Sequence, residues 1–254
     1  MSLGKSRPRD KIILQSNALV TVLLLLLSFI FGINSPDSRA LPPGNGEYKA
    51  SPVDGELGGG LRRDPTSLRG KVILVDPGHG GANPGSRGVG PRPEKDNVLA
   101  VAWDLKGMLE YAGAKVIMTR DGDYSPGGPK ADQLEARVRI ANLSRGDVFV
   151  SIHNDWNKNS SLTGTTTYFY SPDGYHLGES LQRGVSQELS SRSLGVKWAS
   201  YYVLRNTAMP AALVELGFLS NKREANLLST RSYQTKAALG IYNGLVEYFS
   251  NRSR

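Results

Sequence analysis

Between about residue 70 and residue 250, short apolar runs alternate with stretches of helical period, and this alternation restricts the chain to one fold class. Lys71–Asp76 (KVILVD) is an apolar run closed by Pro77-Gly78, the pattern of a buried strand. Asn97–Tyr111 places Val98, Leu99, Ala102, Leu105, Met108 and Leu109 at the spacing of an amphipathic helix, with Gly113 as its C-terminal cap. Lys115–Thr119 reads as a second strand, Leu134–Leu143 as a second helix, Asp147–His153 as a third strand and Thr165–Tyr170 as a fourth. Leu177–Leu189 reads as a helix, Tyr201–Leu204 and Ala211–Leu216 as strands, and about 222–249 as one or two helices. Strands separated by helices predict an α/β fold: a single domain, about 70–250, with a largely parallel twisted sheet and helices on both faces.

The segments before this domain have a different character. Lys5, Arg7, Arg9 and Lys11 precede the almost purely apolar Ala18–Ile33, and Ser38-Arg39-Ala40 offers small residues at cleavage positions. Residues 1–40 therefore read as a secretory signal peptide, or as a membrane anchor if uncleaved, with the positive end in the cytoplasm and the rest outside. The apolar run is short for a bilayer span, and its lack of a polar face argues against a core helix. Residues 41–69 carry Pro42, Pro43, Pro52, Pro65 and the run Gly58-Gly59-Gly60 with no surviving period, the signature of a flexible linker. The chain is thus expected to be exported to the periplasm or cell wall, with the membrane touched only through the N-terminal segment.

Cysteine is absent, so disulfides, thiolate metal sites and a cysteine nucleophile are excluded. Any transition-metal site must use histidine and carboxylate. The net charge of +8 favours anionic partners, and anionic wall polymers fit. No nucleic-acid-binding motif or dense basic stripe is present, so nucleic acid is not expected as a partner. A monomer is the default expectation.

The candidate chemistry lies at strand ends. Of the three histidines, His79 follows the first strand in Asp76-Pro77-Gly78-His79-Gly80-Gly81, and His153 ends the third in Ser151-Ile152-His153-Asn154-Asp155. In open α/β sheets ligands bind at that edge. Two imidazoles plus a carboxylate make a common catalytic zinc set, and Glu94, at the start of the first helix, is the third candidate ligand. Glu215 lies among apolar residues in Leu213-Val214-Glu215-Leu216-Gly217, where burial would raise its pKa toward that of a useful general base. Taken singly, His79 also reads as a turn residue, Glu94 as a solvated helix start and Glu215 as a buried ion-pair partner. The compact His-Glu-x-x-His helix is missing. Asp76 reads as a strand-end residue holding the glycine loop, His176 as a surface residue, and Arg120 and Arg137 as buried structural ion pairs.

Taken together and in order, these motifs resemble those of the zinc-dependent N-acetylmuramoyl-L-alanine amidases of bacterial walls. Val75–Gly81 resembles the first metal motif, Glu94-Lys95-Asp96 the second, Ser151–Asp155 the third, and Val214–Asn221 the last, which carries the catalytic glutamate. Thr119-Arg120-Asp121, followed by Leu134, Arg137, Ala141 and Asn142, is similar to the intervening strand and helix. The resemblance covers about 70–250. It implies Zn2+ on His79, Glu94 and His153, Glu215 as the catalytic residue, and peptidoglycan as substrate, cut between N-acetylmuramic acid and L-alanine. Substrate-binding residues are not assigned by it. Some relatives hold an inhibitory insertion before the next helix. Only about Ser171–His176 separate strand from helix here, which implies an open site needing no activator. Asn154-Asp155 departs from the family's usual pairing of a small residue and then Asn, which leaves the role of Asp155 open. A non-catalytic wall-binding protein on the same fold would have lost these residues. A zinc peptidase or deacetylase is the other competing class.

Overall fold

A computed structural model describes residues 64–252 except residue 130; the N-terminal expectations for residues 1–63 lie outside the described residues. The strands are β1 (Val72–Pro77), β2 (Lys115–Met118), β3 (Val148–Asp155), β4 (Thr165–Phe169), β5 (Ser193–Trp198) and β6 (Ala211–Phe218). The helices are α1 (Glu94–Tyr111), α2 (Gln133–Ser144), α3 (Pro172–Glu188), α4 (Tyr202–Asn206), α5 (Lys222–Leu228) and α6 (Arg231–Arg252). The strands form one sheet in the order β2-β1-β3-β6-β4-β5. β1 runs parallel to β2 and β3, β3 parallel to β6 and β4 parallel to β5, while β4 meets β6 antiparallel. The C-terminal ends of β1, β3 and β6 therefore share one edge of the sheet.

Alternating residues on the central strands serve two cores. Val148, Val150 and Ile152 of β3, with Ala212, Val214 and Leu216 of β6, join the larger core. That core also holds Val98, Leu105 and Leu109 of α1, Leu177 and Leu181 of α3, and Ile241 and Leu245 of α6. The opposite face carries a smaller core of Leu74, Phe149, Ala211 and Leu213, covered by Val138 and Ala141 of α2 and Val203 and Leu204 of α4. The next residues of that parity, Asp76, Ser151, His153 and Glu215, are polar. α2 and α4 pack over the apolar end of this face, and the polar end is where chemistry can occur.

Several boundaries differ from the sequence expectation, each for a local reason. Tyr201–Leu204 is not a strand. Arg205 N donates to Tyr201 O at 2.9 Å, and the one-turn helix drops the adjacent Val203 and Leu204 into the smaller core, which a strand's alternation would not do. β5 went unread because Gly195 (φ 85°) breaks its pattern and, as an edge strand, it buries little. α3 begins at Pro172 because Ser171 Oγ caps it by accepting from Gly174 N at 3.1 Å and proline suits the first turn. Ordered structure begins before residue 70: Asp64 caps the 3-10 turn Pro65–Leu68, and Leu68 is fully buried in the larger core. Among the described residues no helix is long and apolar enough to cross a membrane.

Candidate metal centre

The site is built on the backbone just past β1. His79 has a positive φ of 61°, a conformation that costs a non-glycine residue free energy unless its surroundings hold it. Two buried arginines supply that hold. Arg120 donates to the carbonyls of Pro77 (2.9 Å), Gly78 (2.7 Å), Lys95 (2.8 Å) and Gly122 (3.0 Å). Arg137 donates to Pro77 O at 2.9 Å and to His79 O. Asp76 anchors Arg137 through a buried ion pair and also accepts from Ser151 Oγ (2.6 Å) and Thr119 Oγ1. Burial opposes the charge on Asp76, but the Arg137 guanidinium and the two hydroxyls reverse that and hold its carboxyl below the ordinary value. Burial, with the neighbouring Arg137 charge, lowers the Arg120 pKa to about 10, which leaves it charged at neutral pH. Asp76 thus secures the loop and lies outside the ligand cluster. Arg137 is a buried ion-pair partner, whereas Arg120 grips backbone carbonyls.

The structure brings His79, Glu94 and His153 together. Glu94 Oε1 lies 3.0 Å from His79 Nε2 and 2.9 Å from His153 Nδ1, and the imidazole rings stand edge-to-face at 4.8 Å. The ligand atoms all lie within 4.8 Å of one another. Tetrahedral zinc with bonds of ~2.0–2.1 Å separates its ligand atoms by roughly 3.3 Å, so this donor set fits the ion in type and spacing. Glu94 is buried at the first turn of α1 and accepts from Asn154 N (3.0 Å) through Oε1 and from Ser86 N (2.8 Å) through Oε2. Burial would raise its pKa, but the bonds from His153 and His79 outweigh this and keep it well below the usual carboxylate range. An ionised carboxylate is the form that binds a cation.

Further contacts aim the ligands. His79 Nδ1 meets Asn83 Oδ1 at 3.2 Å, fixing the ring from its far side, and the same oxygen accepts from Gly85 N at 3.0 Å. The sequence reading missed Asn83; its signal was the Asn-Pro-Gly turn four residues after the histidine. His153 lies flat against the chain at Gly78, where an added Cβ would sit 2.2 Å from the ring, so that position tolerates only glycine.

Glu215 pairs in register with His153 across β3 and β6, neighbouring strands about 4.8 Å apart. Its Oε2 is shielded from solvent and has no hydrogen-bond partner among the described residues. Burial first, then the charges of Glu94 and Asp155, push its pKa well above the ordinary 4.5. Asp155 lies two residues past His153, and burial raises its pKa as well. His176 is exposed on α3, 3.9 Å from Glu179, and takes no part.

Residues 73–247 match a family model described as N-acetylmuramoyl-L-alanine amidase. The chain is 36% identical over 198 residues to a germination-specific N-acetylmuramoyl-L-alanine amidase of Bacillus subtilis, covering 73% of this chain and 82% of the relative. It is 34% identical over 186 residues to a probable cell wall amidase, LytH, of Staphylococcus epidermidis, covering 72% of this chain and 60% of the relative. Among solved structures, the CwlD amidase of Clostridioides difficile, determined in complex with the GerS lipoprotein, superposes with a TM-score of 0.68 at 32% identity. That match covers 71% of this chain and 99% of the solved one. The amidase AmiC2 of Nostoc punctiforme gives a TM-score of 0.65 at 32% identity, covering 70% of this chain and 96% of the other.

Proposed function

Since this chain belongs to the N-acetylmuramoyl-L-alanine amidase family, we propose that it carries out the family's reaction with a zinc ion held by His79, Glu94 and His153 and with Glu215 as proton carrier. The reaction is hydrolysis of the amide bond between N-acetylmuramic acid and L-alanine of peptidoglycan. The observation that carries the mechanistic reading is the convergence of two imidazole nitrogens on one buried carboxylate oxygen, with an unpartnered carboxylate oxygen on the adjoining strand. Bound there, zinc supplies Lewis acidity toward the scissile carbonyl and toward water.

The chain's own groups do the rest. Glu215 in its ionised form takes a proton from the attacking water and returns one to the departing amine of L-alanine, which is a poor leaving group as an anion. Burial opposes that ionised form, and a cation held by His79, Glu94 and His153 would favour it. Arg120 and Arg137, by holding the carbonyls of residues 77–79, keep His79 in its strained conformation. Only two residues, Tyr170 and Ser171, separate β4 from α3, which leaves no room there for an inhibitory insertion and supports an open site. Export through the N-terminal segment, action in the wall and a monomeric state complete it.

The test is mass spectrometry of the products when the purified chain meets peptidoglycan, with and without chelator. Chelator-sensitive release of peptides beginning at L-alanine, leaving peptide-free glycan, is the expected result. A zinc-loaded chain that releases nothing would overturn the reading in favour of a binding role.

A further inference from the structure

The loop between β1 and α1 does more than carry ligands. It encloses a concavity of about 540 Å³, lined in part by Gly81, Pro84, Arg87, Gly90, Arg92 and Lys95. None of the three ligand candidates lines it, but the loop joins His79 to Glu94, and Arg87 directly follows Ser86, whose N lies 2.8 Å from Glu94 Oε2. Its lining holds three cations and no carboxylate. Lys95 is already engaged, by Asp123 Oδ2 at 2.6 Å and Gly81 O at 2.9 Å. Arg87 and Arg92 make no ion pair and no side-chain hydrogen bond with other described residues.

The loop that presents them is fixed. Ser86 N donates to Glu94 Oε2 at 2.8 Å, Lys95 N to Pro84 O at 3.2 Å and Val89 N to Leu219 O at 3.0 Å. The chain at Gly88 runs so close to Leu219 that an added Cβ would lie 2.0 Å from its carbonyl oxygen. Pro84, Pro91 and Pro93 restrict φ along the way. Both arginines are exposed, and an anion between them would supply the counter-charge that the lining lacks.

We propose that Arg87 and Arg92 form a carboxylate-binding subsite of the amidase cleft that takes the acidic second residue of the stem peptide. The glycan beside the scissile bond is uncharged, whereas the stem peptide is acidic, and the subsite lies on the loop that joins His79 to Glu94. Guanidinium groups match a planar carboxylate with paired hydrogen bonds, an interaction stronger than that between neutral groups. The proposal rests on the amidase reading.

The test uses the zinc-loaded full chain and two synthetic muropeptides that differ in whether the carboxylate of the second stem residue is free or amidated. The expected result is a kcat/KM about tenfold higher on the free acid, expressed in KM, with the ratio falling toward one in the Arg87→Gln/Arg92→Gln variant. Absence of discrimination in the parent chain, or its persistence in the double variant, would overturn the subsite. Calorimetric binding of the same two compounds separates the two readings. If neither is cleaved but the free acid still binds more tightly, and only to the parent chain, the subsite stands and the amidase reading falls. If instead the variant loses only its retention on sacculi bearing anionic polymers, the arginines serve those polymers and the peptide assignment is wrong.

Discussion

Glu215 Oε2 is a carboxylate oxygen without a donor or solvent, and its cost should be measurable apart from catalysis. A buried group left unsatisfied destabilises by about 1–3 kcal/mol. In the Glu215→Gln variant the metal-free chain is expected to be more stable than its parent at neutral pH, while catalysis falls by roughly 10²–10⁴ with zinc still bound. The sign follows from linkage. A carboxyl whose folded pKa is raised binds its proton more tightly in the folded state, so its contribution is favourable at low pH and is lost as pH rises above about 4.5. The stability gap between variant and parent, read by urea unfolding, should therefore widen with pH; a constant gap would mean Glu215 is not the titrating group. By contrast, His79→Ala and Glu94→Ala should lose zinc outright, as measured by metal analysis of the purified chain. These residues were legible in the sequence because strand ends, a glycine loop and a scarcity of histidine narrowed the candidates. Asn83 and the carbonyl contacts of Arg120 were not, because they depend on a loop that returns on itself and on pairings between positions some 40 residues apart.

At the scale of elements, the end of β1 is held by α2 and by the segment after β2, through Arg137 and Arg120 respectively. Asp76→Asn would leave the buried Arg137 without its carboxylate and is expected to cost about 3–5 kcal/mol in chemical denaturation. Because Asp76 titrates below its ordinary value, the stability it confers is present above about pH 4 and is lost as pH falls through the lowered value. Arg120→Met is expected to weaken zinc binding about 10–100-fold, since the His79 loop loses its grip; an unchanged affinity would make Arg120 a packing residue only. Long apolar strands and periodic helices could be read directly, because their pattern is set by the core they enter. The edge strand β5 and the short helix α4 could not. One buries too little to leave a pattern, and the other owes its form to the smaller core beneath it rather than to local preference.

For the molecule as a whole, none of the candidate metal ligands belongs to either apolar core. The chain should therefore stay folded by circular dichroism when stripped by chelator, and zinc at about 100 times its dissociation constant should raise the melting temperature by about 5–10 °C. Collapse of the signal on chelation would show that the ion is part of the fold. The central strands keep these two concerns apart by parity. In β3 the even-numbered Val148, Val150 and Ile152 enter the larger core, and in β6 so do Ala212, Val214 and Leu216. The odd-numbered residues pass from Phe149 to Ser151 and His153, and from Leu213 to Glu215. Each strand is in effect two interleaved texts, one read by the larger core and one by the smaller core and the candidate metal centre beyond it. Changes of letter in one text leave the other intelligible, so the residues of the candidate site can be exchanged over an unaltered larger core. A single-residue deletion inside either strand would hand each text to the wrong reader and forfeit both at once.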